Sequence, residues 1–488
     1  MYYLGFDVGT SALKTILIDE NWKILYESSK SYQYQEPKEG YKEIDPECWF
    51  HAVDSELRHA AEHVRNQGDM VIGVTGQMHT TVFLDRKGQV IRPAIMWNDL
   101  RTKDEIAPVK QFLKESDETA YISGIYSTGS PAANVLWVKE HEPENFKRIG
   151  RIMTAYDYIV YRLTGHYSVD YCDASTSAFY DIQTKSWSER MLKYVGIEKD
   201  VLGKVHKSCD MIGELLPEIC DTLKLSRSVK VIAGTGDNPA TAAALGILEQ
   251  GDPVISLGTS GVVIWPRQDG GDFEGKGKNV LFLADGKEAV NIRQGVVQAA
   301  GGAHRWWIEH VVMTGQMASD QDKMDEELLG ENSVLFYPHI AGDKTLYADP
   351  NLRGAFLGLS TYTRREHMTQ AVFEGVAFAL RELLESMGTG MKSFPEKIRV
   401  SGGGSKSCIW MKILSNVLNM QIEVNASKAS PGYGICLLAM KADKKTNLKR
   451  REKKKGTIYT PDPAIVKKYE TAYKKYQRIH DAIAQLGL

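Results

Sequence analysis

Short apolar, β-branched runs broken by glycine-bearing polar turns set the pattern of this chain. They predict strand–turn–strand and strand–turn–helix units. Residues 229–248 (VKVIAGTGDNPATAAALGIL) carry the pattern most fully. Val229, Val231 and Ile232 read as a buried strand, residues 234–236 as a tight turn, and the alanine-rich run behind Pro239 as a helix. Asp237 and Asn238 stand where that helix begins. A carboxylate there is held by rigid elements and suits a general base, but Asp and Asn are also favoured N-cap residues.

Two hairpins share one tip chemistry. Residues 2–6 alternate as a strand, residues 7–11 (DVGTS) turn the chain, and residues 14–19 run back. Backbone N–H groups and hydroxyls at Gly9, Thr10 and Ser11 form a candidate anion nest, and Asp7 is placed to hold a hydrated divalent cation. Residues 253–265 (PVISLGTSGVVIW) repeat the design with Gly258, Thr259 and Ser260 at the tip. The repeat predicts two similar domains that each lend a loop to one polyphosphate, with a boundary near residue 248.

Between the hairpins, residues 71–84 read as strand, polar turn and strand, with Gln77, Met78 and His79 at the turn. Residues 91–101 deliver Trp97, Asn98, Asp99 and Arg101 at the end of another strand. Amide, imidazole, carboxylate and guanidinium groups beside Met and Trp suit a polyhydroxyl ligand, although each residue taken singly also fits an ordinary core. Residues 155–163 read as a core-facing helix and residues 170–175 (DYCDAS) as a polar loop whose acids cap and turn. Gly301 and Gly302 open a helix in a way that tolerates close ligand approach. Residues 366–387 form a long amphipathic helix. Residues 398–405 form a strand ending in Gly402, Gly403 and Gly404, which admits a flat ring or a phosphate. GxGxxG spacing and a GK[ST] loop are both missing there. Residues 270–278 read as a mobile loop, the lysine-rich residues 441–456 as a solvated segment, and residues 463–486 as one closing helix with Tyr469, Tyr473, Tyr476 and Ile483 on its docking face.

Composition narrows the class. At 488 residues two or three domains are expected, and 43% apolar with 25% charged residues is typical of soluble globular proteins. A formal net charge of −2 gives no reason to expect nucleic acid or an anionic membrane as partner. The six cysteines lack a CxxC pair and fit reduced thiols; Cys48 with His51 and His206 with Cys209 read as coincidental spacings. No signal peptide or apolar run of about 20 residues is present, so a cytoplasmic location is expected.

The ordered motifs resemble the FGGY carbohydrate kinases of the actin-like ATPase superfamily. DVGTS and SLGTSG resemble the two phosphate loops, residues 401–404 (SGGG) the adenosine motif, and residues 236–238 (GDN) the catalytic turn. Residues 354–381 resemble the C-terminal signature. The resemblance implies an α/β fold of two actin-like (ribonuclease H-like) domains with a cleft between them: 1–248 sugar-binding, 249–442 nucleotide-binding, then 443–488 as linker and closing helix. It implies ATP and Mg2+ as cofactors and Asp7 and Asp237 as catalytic and metal residues. Met78, His79, Trp97, Asn98, Asp99, Arg101 and Asn238 would lie on the sugar. Gly9, Thr10, Ser11, Gly258, Thr259, Ser260, Gly302, Gly402, Gly403 and Gly404 would lie on the nucleotide. GQMH followed by RPAIMWNDLR is most similar to the members that phosphorylate D-xylulose at O5. Thr80 departs from the usual glycine after that histidine, and residues 342–347 (GDKTLY) and 430–434 (SPGYG) depart from the family pattern too. Kinases of gluconate or other ketoses, and a chaperone- or actin-like ATPase, are the alternatives. The partners expected are a small sugar and ATP, without nucleic acid or membrane; the resemblance allows a homodimer.

Overall fold

The computed structural model describes residues 1–64, 69–226, 228–246, 252–267, 276–313, 324, 326–349, 351–389, 394–424, 430–443 and 456–486. The chain divides into two compact units. The first comprises Met1–Leu248, Val280–Val290 and Ser430–Arg451; the second comprises Glu249–Asn279, Asn291–Ala429 and Glu452–Leu488. Division at one point in the sequence misses the two later segments of the first unit. The expected mobile loop 270–278 and lysine-rich run 441–456 fall mostly outside the described residues.

The first unit is built on a mixed sheet in the order Met211–Glu214, Lys230–Ile232, Met70–Gly76, Tyr2–Val8, Ala12–Asp19, Ile24–Ser31. Tyr2–Val8 and Ala12–Asp19 are the expected hairpin, with its strands reaching further so that only residues 9–11 form the tip. Met70–Gly76 is buried along its whole length, as a central strand covered on both faces must be. One face packs Leu4, Phe6, Ile72 and Val74 against Trp49 and Val53 of the Pro46–Ala61 helix, whose N-terminus is capped by Asp45. On the sheet's other side the Pro431–Ala442 helix crosses glycines: a Cβ on Gly5 would lie 2.4 Å from the Gly432 carbonyl oxygen. The same helix meets Asp237–Ala244 so closely that a Cβ on Gly434 would sit 1.7 Å from the Ala240 carbonyl oxygen.

In the second unit, strands Val290–Val297, Gly261–Arg267, Val254–Leu257, Lys397–Ser401, Gln421–Val424 and Thr457–Tyr459 lie side by side in that order. The Arg365–Met387 helix buries Phe373, Val376, Leu380 and Leu383 in its core. The single closing helix expected over 463–486 is two helices, Pro463–Tyr476 and Ile479–Leu486. Tyr469, Tyr473, Tyr476 and Ile483 are buried as the pattern requires. Among the described residues no helix is long and apolar enough to cross a membrane.

Residues 170–175 differ from the expectation. Asp170 caps a helix, Tyr171–Thr176, whose six residues are all buried, so this is packed interior rather than polar loop. Residues 234–236 also differ: only Gly234 turns, at φ 78°, while Thr235–Gly236 rejoins the sheet beside Met70–Gly76.

Gly234 is fixed by space and by backbone conformation, since a Cβ there would lie 1.9 Å from the Val74 carbonyl oxygen. Gly234→Ala is expected to cost about 2 kcal/mol or more of unfolding free energy. Gly124, in the Asp117–Ile125 helix, meets nothing within 4 Å, and Gly124→Ala should stabilise by about 0.5–1 kcal/mol. Urea titrations of the two variants check both signs.

Candidate active site

Three parallel strand ends carry the chemistry of the first unit. Tyr2–Val8 pairs with Met70–Gly76 in a register that sets Val8 opposite Gly76, and Gly76 is opposite Gly236 in turn. Gly9, Gln77 and Asp237 therefore leave the sheet at one level, the position where ligands meet open α/β sheets. Asp237 is the first residue of the Asp237–Ala244 helix and Gly236 is the residue at the cap, so the capping role weighed for Asp237 is not the one it fills. Its carboxyl is part-exposed beside the buried Asp7.

Both carboxyl groups hold protons more tightly than usual. Burial is the main cause for Asp237, and the like charge of Asp7 adds to it, bringing it to about 7. Burial lifts Asp7 to about 6 against the pull of Lys14, whose Nζ lies 3.8 Å from Asp7 Oδ2 on the neighbouring strand. Two desolvated carboxylates with one half-exposed lysine are a hard-oxygen donor set short of positive charge, which fits Mg2+.

The turn after Gly76 faces these acids. Met78 covers Gly236, where a Cβ would lie 2.5 Å from Met78 Cγ, and Asn238 Nδ2 reaches Met78 Sδ at 3.8 Å. His79 is held at φ 69°, a left-handed conformation uncommon for a non-glycine residue, and is half-buried. Trp97 is 43% exposed and donates its indole N–H to Thr10 Oγ1 at 3.0 Å. Asn98 turns a buried Oδ1 that has no hydrogen-bond partner. Asp7, residues 9–11, Met78, His79, Trp97, Asp237 and Asn238 are thus brought to one end of the sheet.

Asp99 and Arg101 are spent elsewhere. Arg101 Nε and Nη2 each donate to Asp99 at 2.8 Å, Nη2 also lies 2.8 Å from Glu43, and the guanidinium sits over the rings of Tyr41 and Trp137. Both side chains are 1% exposed, and Asp99 also accepts the Lys42 N–H. They brace the loop that presents Trp97 and Asn98, in place of the direct ligand contact expected of them.

The second unit gathers its glycine loops in the same way. Ser256 is opposite Ser401 in a parallel pair, so residues 258–260 and 402–404 emerge at one end of that sheet. Gly301 and Gly302 donate their N–H groups to Gly258 and Thr259 at 2.9 and 2.8 Å, seating a helix start on the hairpin tip. Gly402 has φ 94° and leaves no room for a Cβ beside Leu257, whereas a Cβ on Gly403 would meet nothing within 4 Å. This open backbone cradle fits the flat base and phosphates of a nucleotide.

Several contributors escaped the sequence reading. Lys14 was legible only as a polar position within a strand. Tyr32, whose hydroxyl donates to the Gly9 carbonyl, lies a full strand away. Cys172 packs with Met78 beneath the acids through a helix that reads as a loop.

Comparison with known proteins gives a consistent result. The N-terminal domain of the FGGY family of carbohydrate kinases matches residues 2–246, and the C-terminal domain of that family matches residues 254–442. A xylulose kinase from Lactococcus lactis is 31% identical, covering 100% of this chain and 98% of its own length. One from Bacillus subtilis is also 31% identical, covering 98% and 96%. The crystal structure of a xyloylose kinase from Brucella ovis superposes with a TM-score of 0.87 at 28% identity, over 100% of both chains.

The acid pair makes stability depend on pH. An Asp that titrates at 3.8 when unfolded and at about 7 when folded leaves the native state holding the extra proton between those values. Stability is therefore expected to fall as pH rises from about 4 to about 7. Asp237→Asn should lessen that slope without removing it, since Asp7 is raised as well, read from melting temperatures of the metal-free protein across the range. A slope unchanged in the variant would show that Asp237 is not the group responsible.

Proposed function

The chain belongs to the FGGY family of carbohydrate kinases, and from that premise we propose that it phosphorylates O5 of the ketopentose D-xylulose. It is an ATP-dependent sugar kinase that uses Mg2+. The choice of sugar is supported by its two bacterial xylulose kinase relatives at 31% identity over nearly full length. The observation that carries the chemistry is the largely buried Asp237 beside buried Asp7, at the strand ends that also present Met78 and His79.

In this reading the first unit binds sugar and the second binds most of the nucleotide. Met78 gives the sugar an apolar face, and His79 and Asn238 orient its hydroxyls. Asp7 and Asp237 would hold Mg2+; Gly9, Thr10 and Ser11 offer phosphate-binding N–H groups and hydroxyls in the first unit, and Gly258, Thr259 and Ser260 offer them in the second. Gly302 and residues 402–404 take the rest of the nucleotide. Bound Mg2+ and ATP supply a charge-neutralised phosphoryl group for transfer. Asp237 accepts the proton of the attacking hydroxyl as the new bond forms. An alcohol is far too weak an acid to be deprotonated beforehand, so positioning contributes more than basicity. The N–H groups at the loop tips stabilise the charge developing on the phosphoryl oxygens. A cytoplasmic site of action belongs to the same reading.

A coupled ADP-release assay over D-xylulose, L-xylulose, ribulose, gluconate and glycerol tests the assignment. D-xylulose is expected to give the highest kcat/KM, and a clear preference for gluconate or glycerol would overturn it. Asp237→Ala should abolish turnover while changing sugar affinity by less than about tenfold. His79→Ala should raise KM for the sugar and leave KM for ATP near its original value.

A further inference from the structure

A closed circuit of hydrogen bonds joins the sugar-side turn to the first hairpin tip. Gln77 Nε2 donates to the Gly9 carbonyl at 3.3 Å. Thr80 Oγ1 donates to Gln77 Oε1 at 2.9 Å and accepts the Trp97 N–H at 3.1 Å. The Trp97 indole N–H then returns to Thr10 Oγ1 at 3.0 Å. Thr80 is the one member bonded to both of the other side-chain arms, and it is wholly buried with Gln77 2% exposed.

We propose that Thr80 is a positioning residue that fixes the sugar-side turn and the phosphate-binding hairpin tip as one piece, so that both substrates depend on its hydroxyl. The inference rests on the reading of residues 77–80 and 9–11 given above. Its physical basis is geometric. His79 sits in a left-handed backbone conformation that only surrounding bonds can maintain. Thr80 follows it directly and uses its single donor on one neighbour and an acceptor site on another. Any shift of Met78 or His79 to meet a sugar therefore pulls on Gln77 at Gly9 and on Trp97 at Thr10. A valine in place of Thr80 keeps the shape, strands the buried Gln77 Oε1 and Trp97 N–H, and opens the circuit on both arms.

The test compares Thr80→Val, Thr80→Ser and Trp97→Phe with the unsubstituted enzyme, measuring KM for D-xylulose, KM for ATP and melting temperature. Thr80→Val should raise both KM values by about tenfold. Thr80→Ser, which keeps the hydroxyl, should restore both to within about twofold. Trp97→Phe, which removes only the link to Thr10 from an exposed ring, should raise KM for ATP by about threefold or more. Three results would each overturn the inference. These are Thr80→Val with only the sugar KM raised or with neither raised, Thr80→Ser as impaired as Thr80→Val, and Trp97→Phe with an unchanged KM for ATP. Should Thr80→Val fail to fold, Thr80→Ser and Trp97→Phe decide. Failure of the underlying reading looks different: the wild-type enzyme would then release no ADP in response to a pentulose.

Discussion

The register of three parallel strands is the constraint on which the site depends. Val8, Gly76 and Gly236 stand in one row, and the residues that follow them, Gly9, Gln77 and Asp237, leave the sheet together. A slip of one residue would turn every side chain to the opposite face and put Asp7 on the wrong side of the sheet. Two glycines make the row possible. A Cβ on Gly76 would come within 2.6 Å of the Val8 carbonyl oxygen, and one on Gly236 within 2.5 Å of Met78. Their absent side chains let the strands finish level and let Met78 lie across the Gly236–Asp237 turn.

That arrangement forces two acids together in a place poor in water. Burial raises both groups, and the same low dielectric would strengthen their hold on a divalent cation at the proposed site. Lys14 compensates only in part, being half-exposed and at 3.8 Å. The second unit repeats the level strand ends at Ser256 and Ser401 without any acid at its tip, in keeping with a surface that meets phosphate and base. In the proposed function one scaffold would serve two chemistries, distinguished by the side chains at the ends of the strands.

What the sequence disclosed was local in origin. The two hairpins, the Asp237 turn, the Arg365–Met387 helix and the strand leading to Gly402 all follow from short-range periodicity and turn chemistry. What it hid was settled by distant partners. Asp99 and Arg101 read as free polar groups until Glu43, Tyr41 and Trp137 are folded around them. The polar letters of 170–175 predict a loop because nothing nearby shows that Tyr156 and Ser208 bond to Asp170. The membership of 280–290 and 430–451 in the first unit is likewise a matter of tertiary packing.

The buried helix Tyr171–Thr176 shows why Asp237 is held from two sides. Asp170 accepts the N–H groups of Cys172 and Asp173 at 3.1 and 3.0 Å, and with the Tyr156 hydroxyl this seals the helix start inside the unit. Asp157, Asp170 and Asp173 all lie out of reach of water, and burial drives each toward its protonated form. Burial works against three ionised carboxylates in that interior, and the hydrogen bonds that Asp170 accepts hold the helix start in place. Cys172 projects from this helix onto Met78, which in turn covers Gly236. The Gly236–Asp237 step is therefore backed by a buried, packed layer and faced by the turn that carries Thr80. Asp237 has little freedom to move toward a substrate, so the sugar must be delivered to it. In the proposed role of base, far weaker than the alkoxide that forms, rigid placement is where its contribution would lie.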